Sequence, residues 1–61
     1  MELNVEKITS ELIRIGKTRY WLSRQIGTST QLVLYWLNAK SIRGAEPIAR
    51  VFGIEPKDLI K

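Results

Sequence analysis

Between Leu12 and Ala45 the chain carries six basic side chains (Arg14, Lys17, Arg19, Arg24, Lys40 and Arg43) and no aspartate or glutamate. All six acids of the chain lie outside that window. Histidine and cysteine are absent. Without imidazole or thiol, the commonest acid–base and nucleophilic chemistries are missing. A metal site would have to be built from carboxylates alone, and the acids are scattered rather than paired. Gly16-Lys17-Thr18 matches the end of a phosphate-binding loop, but Glu11 stands where that loop needs its first glycine and no strand precedes it. What remains is a run of cations of one sign, which suits a phosphate backbone. The inventory points to binding rather than catalysis, with no cofactor, no metal and no small-molecule substrate.

At 61 residues the chain is read as one domain over 1–61. A chain of this size buries roughly 60% of its unfolded surface, so its stability is modest. Its 44% hydrophobic and 26% charged content is that of an ordinary globular domain, and its net charge of +4 favours a polyanionic partner. The opening Met-Glu-Leu-Asn-Val lacks the basic and apolar regions of a signal peptide. The longest apolar run, Leu32 to Leu37, falls far short of the roughly 20 residues that span a bilayer. A soluble, cytoplasmic protein with no membrane partner is expected. A cationic membrane-surface helix fits poorly, because the basic residues are not gathered on one face of one long helix.

Five helices with short connections account for the whole pattern. Val5, Ile8, Leu12 and Ile15 recur at spacings of three and four and predict a first helix over 5–15, with Asn4 as its N-cap. A second is predicted over 19–26, capped by Thr18 and ended by Gly27. After a turn at 27–29, a third runs over 30–38 with Ser29 as its cap. Leu22, Ser23 and Ile26 face inward from the second, and Val33, Trp36 and Leu37 from the third. The small Ser23 lets the two helices cross closely. Pro47 is tolerated only in a first turn, which starts the fourth helix near Ala45 and leaves Gly53 to end it. A fifth, of one or two turns, opens at Pro56 and docks through Leu59 and Ile60. No segment shows sustained strand alternation, so the fold class is all-α.

The series Thr18-x-x-x-Leu22-Ser23-x-x-Ile26-Gly27-Thr28-Ser29-x-x-x-Val33-x-x-Trp36 resembles the helix-turn-helix of the Cro/cI-type, or XRE, family of phage and bacterial regulators. Asn38-Ala39-Lys40 resembles the Asn-Gly-Lys that often follows it. Ile48 to Ile54 resembles the family's fourth helix and exit, and Glu55 to Leu59 its short fifth. The likeness covers nearly the whole chain. It departs from the family at Ser23, where alanine is usual, at Thr28, and at Ala39 in place of glycine. Trp21, Leu32, Leu34 and Tyr35 occupy positions that are commonly polar, and the segment between Asn38 and Ile48 is short.

The resemblance implies a compact five-helix, lambda-repressor-like bundle that binds double-stranded DNA as a transcriptional regulator, a repressor of phage or prophage type. The third helix would enter the major groove with Thr30, Gln31, Leu32 and Tyr35 at the base edges. Gln31 leads that set, since an amide pairs bidentately with adenine. Leu32 would pack on a thymine methyl, and Thr30 would bond a base or a phosphate. Lys17, Arg19, Ser29, Lys40 and Arg43 would hold phosphates, which sets register without reading sequence. One such helix reads few base pairs, so a homodimer on a pseudo-palindrome is implied. The rival reading, drawn from the apolar Leu32, Leu34 and Tyr35, is a protein-binding module on the same scaffold, such as an antirepressor or adaptor.

Overall fold

The architecture follows from where the local caps fall. In the computed structural model, which describes all 61 residues, helix α1 spans Val5–Ile15, α2 Arg19–Ile26, α3 Thr30–Ala39 and α4 Ala45–Phe52. Asn4 caps α1 by accepting the Lys7 N–H at 3.2 Å, Thr18 caps α2 through the Trp21 N–H at 3.1 Å, and Ser29 caps α3 through the Leu32 N–H at 3.1 Å. Each cap satisfies an N–H group that the first turn would otherwise leave unpaired. α3 runs one residue beyond the expected Asn38.

Four α-helices are therefore present rather than five. The segment expected as a fifth helix, Pro56–Leu59, is a 3-10 turn held by the Asp58 N–H to Glu55 C=O bond at 2.9 Å. Four residues are too few to repay nucleation of an α-helix. A second 3-10 turn, Ile42–Gly44, leads directly into α4 and takes up the short connection after α3.

The core is a single cluster to which every helix contributes: Ile8 and Leu12 from α1, Leu22 from α2, Val33, Trp36 and Leu37 from α3, and Ala45, Ile48 and Ala49 from α4. Leu59 closes one end, and Ile26, Phe52 and Ile54 pack against the cluster while partly buried. Trp21 is half-buried in the same way. The radius of gyration, 10.1 Å, is close to the roughly 10.5 Å of a compact chain of this length.

The N-terminal segment is tied into the core as well. Leu3 is wholly buried and forms an antiparallel bridge with Ile60. Glu2 and Lys61 exchange both backbone hydrogen bonds at 2.9 Å, and the Leu3 N–H donates to the Lys40 carbonyl at 3.0 Å. The two ends of the chain are thereby fastened beside the exit of α3. No helix is long and apolar enough to cross a membrane.

Candidate nucleic-acid interface

The turn between α2 and α3 is made by Gly27 at φ +86°, a left-handed conformation that costs glycine little. The Gly27 and Thr28 N–H groups both donate to the Ser23 carbonyl, at 2.9 and 3.0 Å, and close the end of α2. Ser29 then restarts the chain as α3. Because Val33, Trp36 and Leu37 point inward, the helical period puts Gln31, Tyr35 and Asn38 on the opposite side, and all three are exposed. Leu32 and Leu34 form the shoulders of that face, 38% and 36% exposed. α3 contains no charged residue. Its outward face is made of an amide, a phenol and a second amide.

The four expected base-contact residues are therefore not equivalent. Gln31 and Tyr35 stand fully on the outward face, and Leu32 lies at its edge. Thr30 is half-buried, with its hydroxyl oxygen 3.0 Å from the Ser23 hydroxyl oxygen. Asn38 belongs to the outward set as well as to the exit of the helix. The signal for it was the spacing of Gln31, Tyr35 and Asn38 at i, i+4 and i+7.

The expected phosphate-contact residues Lys17, Arg19, Ser29, Lys40 and Arg43 are all exposed. None of their four cations takes part in an ion pair, because the three ion pairs are Arg14–Glu11, Arg50–Glu46 and Lys61–Glu6. Arg24 is likewise exposed and unpaired. The Lys17 ammonium lies 5.7 Å from the centre of the Trp21 ring, a cation–π distance that steadies a long side chain without neutralising it. The cations fall into two groups: Lys17 and Arg19 at the entrance of α2, Lys40 and Arg43 after the exit of α3.

Arg14 departs from the picture of an uncompensated window. Its guanidinium donates to both Glu11 oxygens, at 2.9 and 3.0 Å. Those hydrogen bonds hold the Glu11 carboxyl below the usual carboxylate range and push the Arg14 guanidinium up. An acid just outside the window thus reaches back into it at i,i+3 spacing.

Lys40 is the one non-glycine residue with positive φ, at +51°. It caps α3 with N–H bonds to the Leu37 and Trp36 carbonyls. For a residue with a Cβ this conformation costs about 1–2 kcal/mol. Next to it, Gly44 sits against Trp36. A Cβ built at Gly44 would meet Trp36 Cβ and Cγ at 3.0 Å, so the absence of a side chain there lets the start of α4 press onto α3.

Compared with family models, with curated proteins and with solved structures, the chain matches none.

Proposed function

We propose that the chain is a sequence-specific DNA-binding domain of the Cro/cI-type, lambda-repressor-like class. In this reading α2, the Gly27 turn and α3 act as a helix-turn-helix, and the two 3-10 turns stand for the shortened parts of the five-helix bundle. The observation that carries it is an uncharged, hydrogen-bonding outward face on α3, with unpaired cations before α2 and after α3 along the chain. Base edges in the major groove are neutral donors and acceptors and the phosphates on either side are anions, so this distribution complements a duplex. Gln31 reads a base, Tyr35 and Leu32 flank it, and Lys17, Arg19, Lys40 and Arg43 hold the backbone. Ser29 accepts from Leu32 and keeps its own proton, which it can donate to a phosphate. Two copies on a pseudo-palindrome, about one helical turn apart, give the contact length that specific binding needs. A transcriptional repressor or related regulator is the role that fits.

Titration of duplex binding against salt tests the proposal. Four cations on phosphates give a log–log slope of roughly −3.6 per protomer. A flat dependence would remove phosphate neutralisation and with it the proposal. Gln31→Ala should relax preference at one base pair by roughly 1–3 kcal/mol and leave the others in place. The exposed Leu32 and Leu34 favour the rival, a protein-binding module. That reading takes over if the protein ignores DNA at every salt concentration yet saturably captures a protein.

A further inference from the structure

Ser23 is the one polar side chain in the buried set, 1% exposed, and it lies midway along α2 facing the start of α3. Its hydroxyl oxygen is 2.7 Å from the Tyr20 carbonyl oxygen and 3.0 Å from the Thr30 hydroxyl oxygen. A carbonyl oxygen only accepts, so the first bond consumes the single Ser23 proton. The second contact then has only one possible sense: the Thr30 O–H donates to Ser23. A chain of two hydrogen bonds runs from α3 through α2, and each bond polarises the next. Thr30 has spent its proton on the interior, and what it can offer outward is lone pairs.

From this inventory we infer that Ser23, which cannot itself reach a duplex, fixes the sense in which Thr30 reads one. The inference rests on the DNA-binding reading above and sharpens it. Thr30 acts as an acceptor only. Phosphate oxygens, guanine N7 and O6, and thymine O4 are themselves acceptors, so Thr30 cannot bond them. The amino groups of adenine N6 and cytosine N4 are the donors the major groove offers, and those are what Thr30 selects. The contrast with its neighbour is direct. Ser29 has its acceptor engaged by the Leu32 N–H and its proton free, which suits a phosphate. Of these two adjacent hydroxyl residues, Thr30 is left with lone pairs alone, while Ser29 keeps its proton. Ser23 is a positioning residue, and its effect is on specificity at one base.

The test is selection of bound sites from a random duplex library by the full chain and by Ser23→Ala, Thr30→Val and Thr30→Ser. Thr30→Val keeps the side-chain shape and removes the hydroxyl, so the position it alters is the one Thr30 reads. At that position the wild type and Thr30→Ser should enrich adenine or cytosine on the facing strand by about two- to ten-fold, the worth of one neutral hydrogen bond. Thr30→Val should lose the enrichment. Ser23→Ala should free the Thr30 proton, so that Thr30 both donates and accepts and the preference broadens to admit guanine and thymine at that position alone. The inference is overturned if Ser23→Ala keeps the wild-type preference there, or if it weakens every position alike, as a merely structural loss would. It is also overturned if Thr30→Val selects the wild-type site, or if the wild type selects guanine or thymine at the altered position. Should Ser23→Ala fail to fold, the two Thr30 variants still decide the acceptor sense. A wild type that enriches no site sinks the reading of α3 as a whole, a result separate from all of these.

Discussion

α3 and the helices around it handle charge in opposite ways. α1 and α4 carry acids and bases on their outer faces and neutralise them locally, Glu11 with Arg14 and Glu46 with Arg50, while Glu6 takes Lys61 from the far end of the chain. α3 carries no charge, and Lys17 and Arg19 before α2 and Lys40 and Arg43 after α3 form no ion pair. Exposed ion pairs of the first kind add little to stability, because water screens them. Their consequence is spatial. They take Arg14, Arg50 and Lys61 out of the set of free cations and leave Lys17, Arg19, Lys40 and Arg43, before α2 and after α3, without an ion pair.

The sharpest way to break the comparison is to unseat α3 from the scaffold. Gly44 has φ −80°, which alanine adopts freely, so backbone strain is not at issue. The added methyl would stand 3.0 Å from Trp36 Cβ, an atom fixed next to the backbone of α3. Overpacking of this kind costs about 1–3 kcal/mol, and the lower chain entropy of alanine returns only about 0.4–1 kcal/mol. Gly44→Ala should therefore destabilise by about 1–2 kcal/mol, with a melting temperature lower by roughly 5–15 °C in thermal unfolding. An unchanged melting temperature would mean that α3 and α4 are not in the close contact that fixes the angle of α3's outward face.

How much of this could be read from the residues in order depends on how local each cause is. The ends of α1, α2 and α4 were legible because Asn4, Thr18, Gly27 and Gly53 act within a turn of their own position. The outward placement of Gln31 and Tyr35 was legible because Val33, Trp36 and Leu37 set the phase of the helix. The burial of Leu3 was not, since its partner Ile60 lies at the other end of the chain and no periodicity reports such a pair. Thr30 was not legible either. Threonine is at home inside or outside, and its side was decided by Ser23, seven residues earlier on another helix. The left-handed residue that ends α3 is Lys40, which no feature of the sequence marks as a helix end.

Lys40 allows stability and binding to be pulled apart. Replacing it with glycine relieves about 1–2 kcal/mol of left-handed strain and gives back part of that as unfolded-state entropy. Lys40→Gly should thus stabilise the fold by roughly 0.5–1 kcal/mol. The same change removes one cation beside α3, so DNA affinity should fall for all sequences and the salt slope should shrink by about 0.9. A backbone residue kept in a strained conformation is accounted for only if its side chain earns something elsewhere. If Lys40→Gly gains stability and loses no affinity, Lys40 belongs with the scaffold, and the group of cations at the α3 exit reduces to Arg43.

The smallest expected effect separates the two regions by pH. Hydrogen bonds from the Lys61 ammonium, and its charge, hold the Glu6 carboxyl below its ordinary range, and Arg14 does the same for Glu11. A carboxyl whose pKa is lower in the folded state contributes stability that is present above its unfolded pKa and disappears as pH falls through the folded one. Lys61 is raised by its hydrogen bonds to Glu6, so its share is present below the ordinary lysine range and disappears as pH rises through the folded pKa. Both limbs are shallow, since water screens these exposed pairs. Glu6→Gln and Glu11→Gln should flatten the acid limb of a melting-temperature profile and leave the salt slope of DNA binding where it was. Should either variant steepen that slope, its partner cation would have been released to the duplex, and the division between a neutralised scaffold and a charged surround of α3 would have to be redrawn with Arg14 or Lys61 on the binding side.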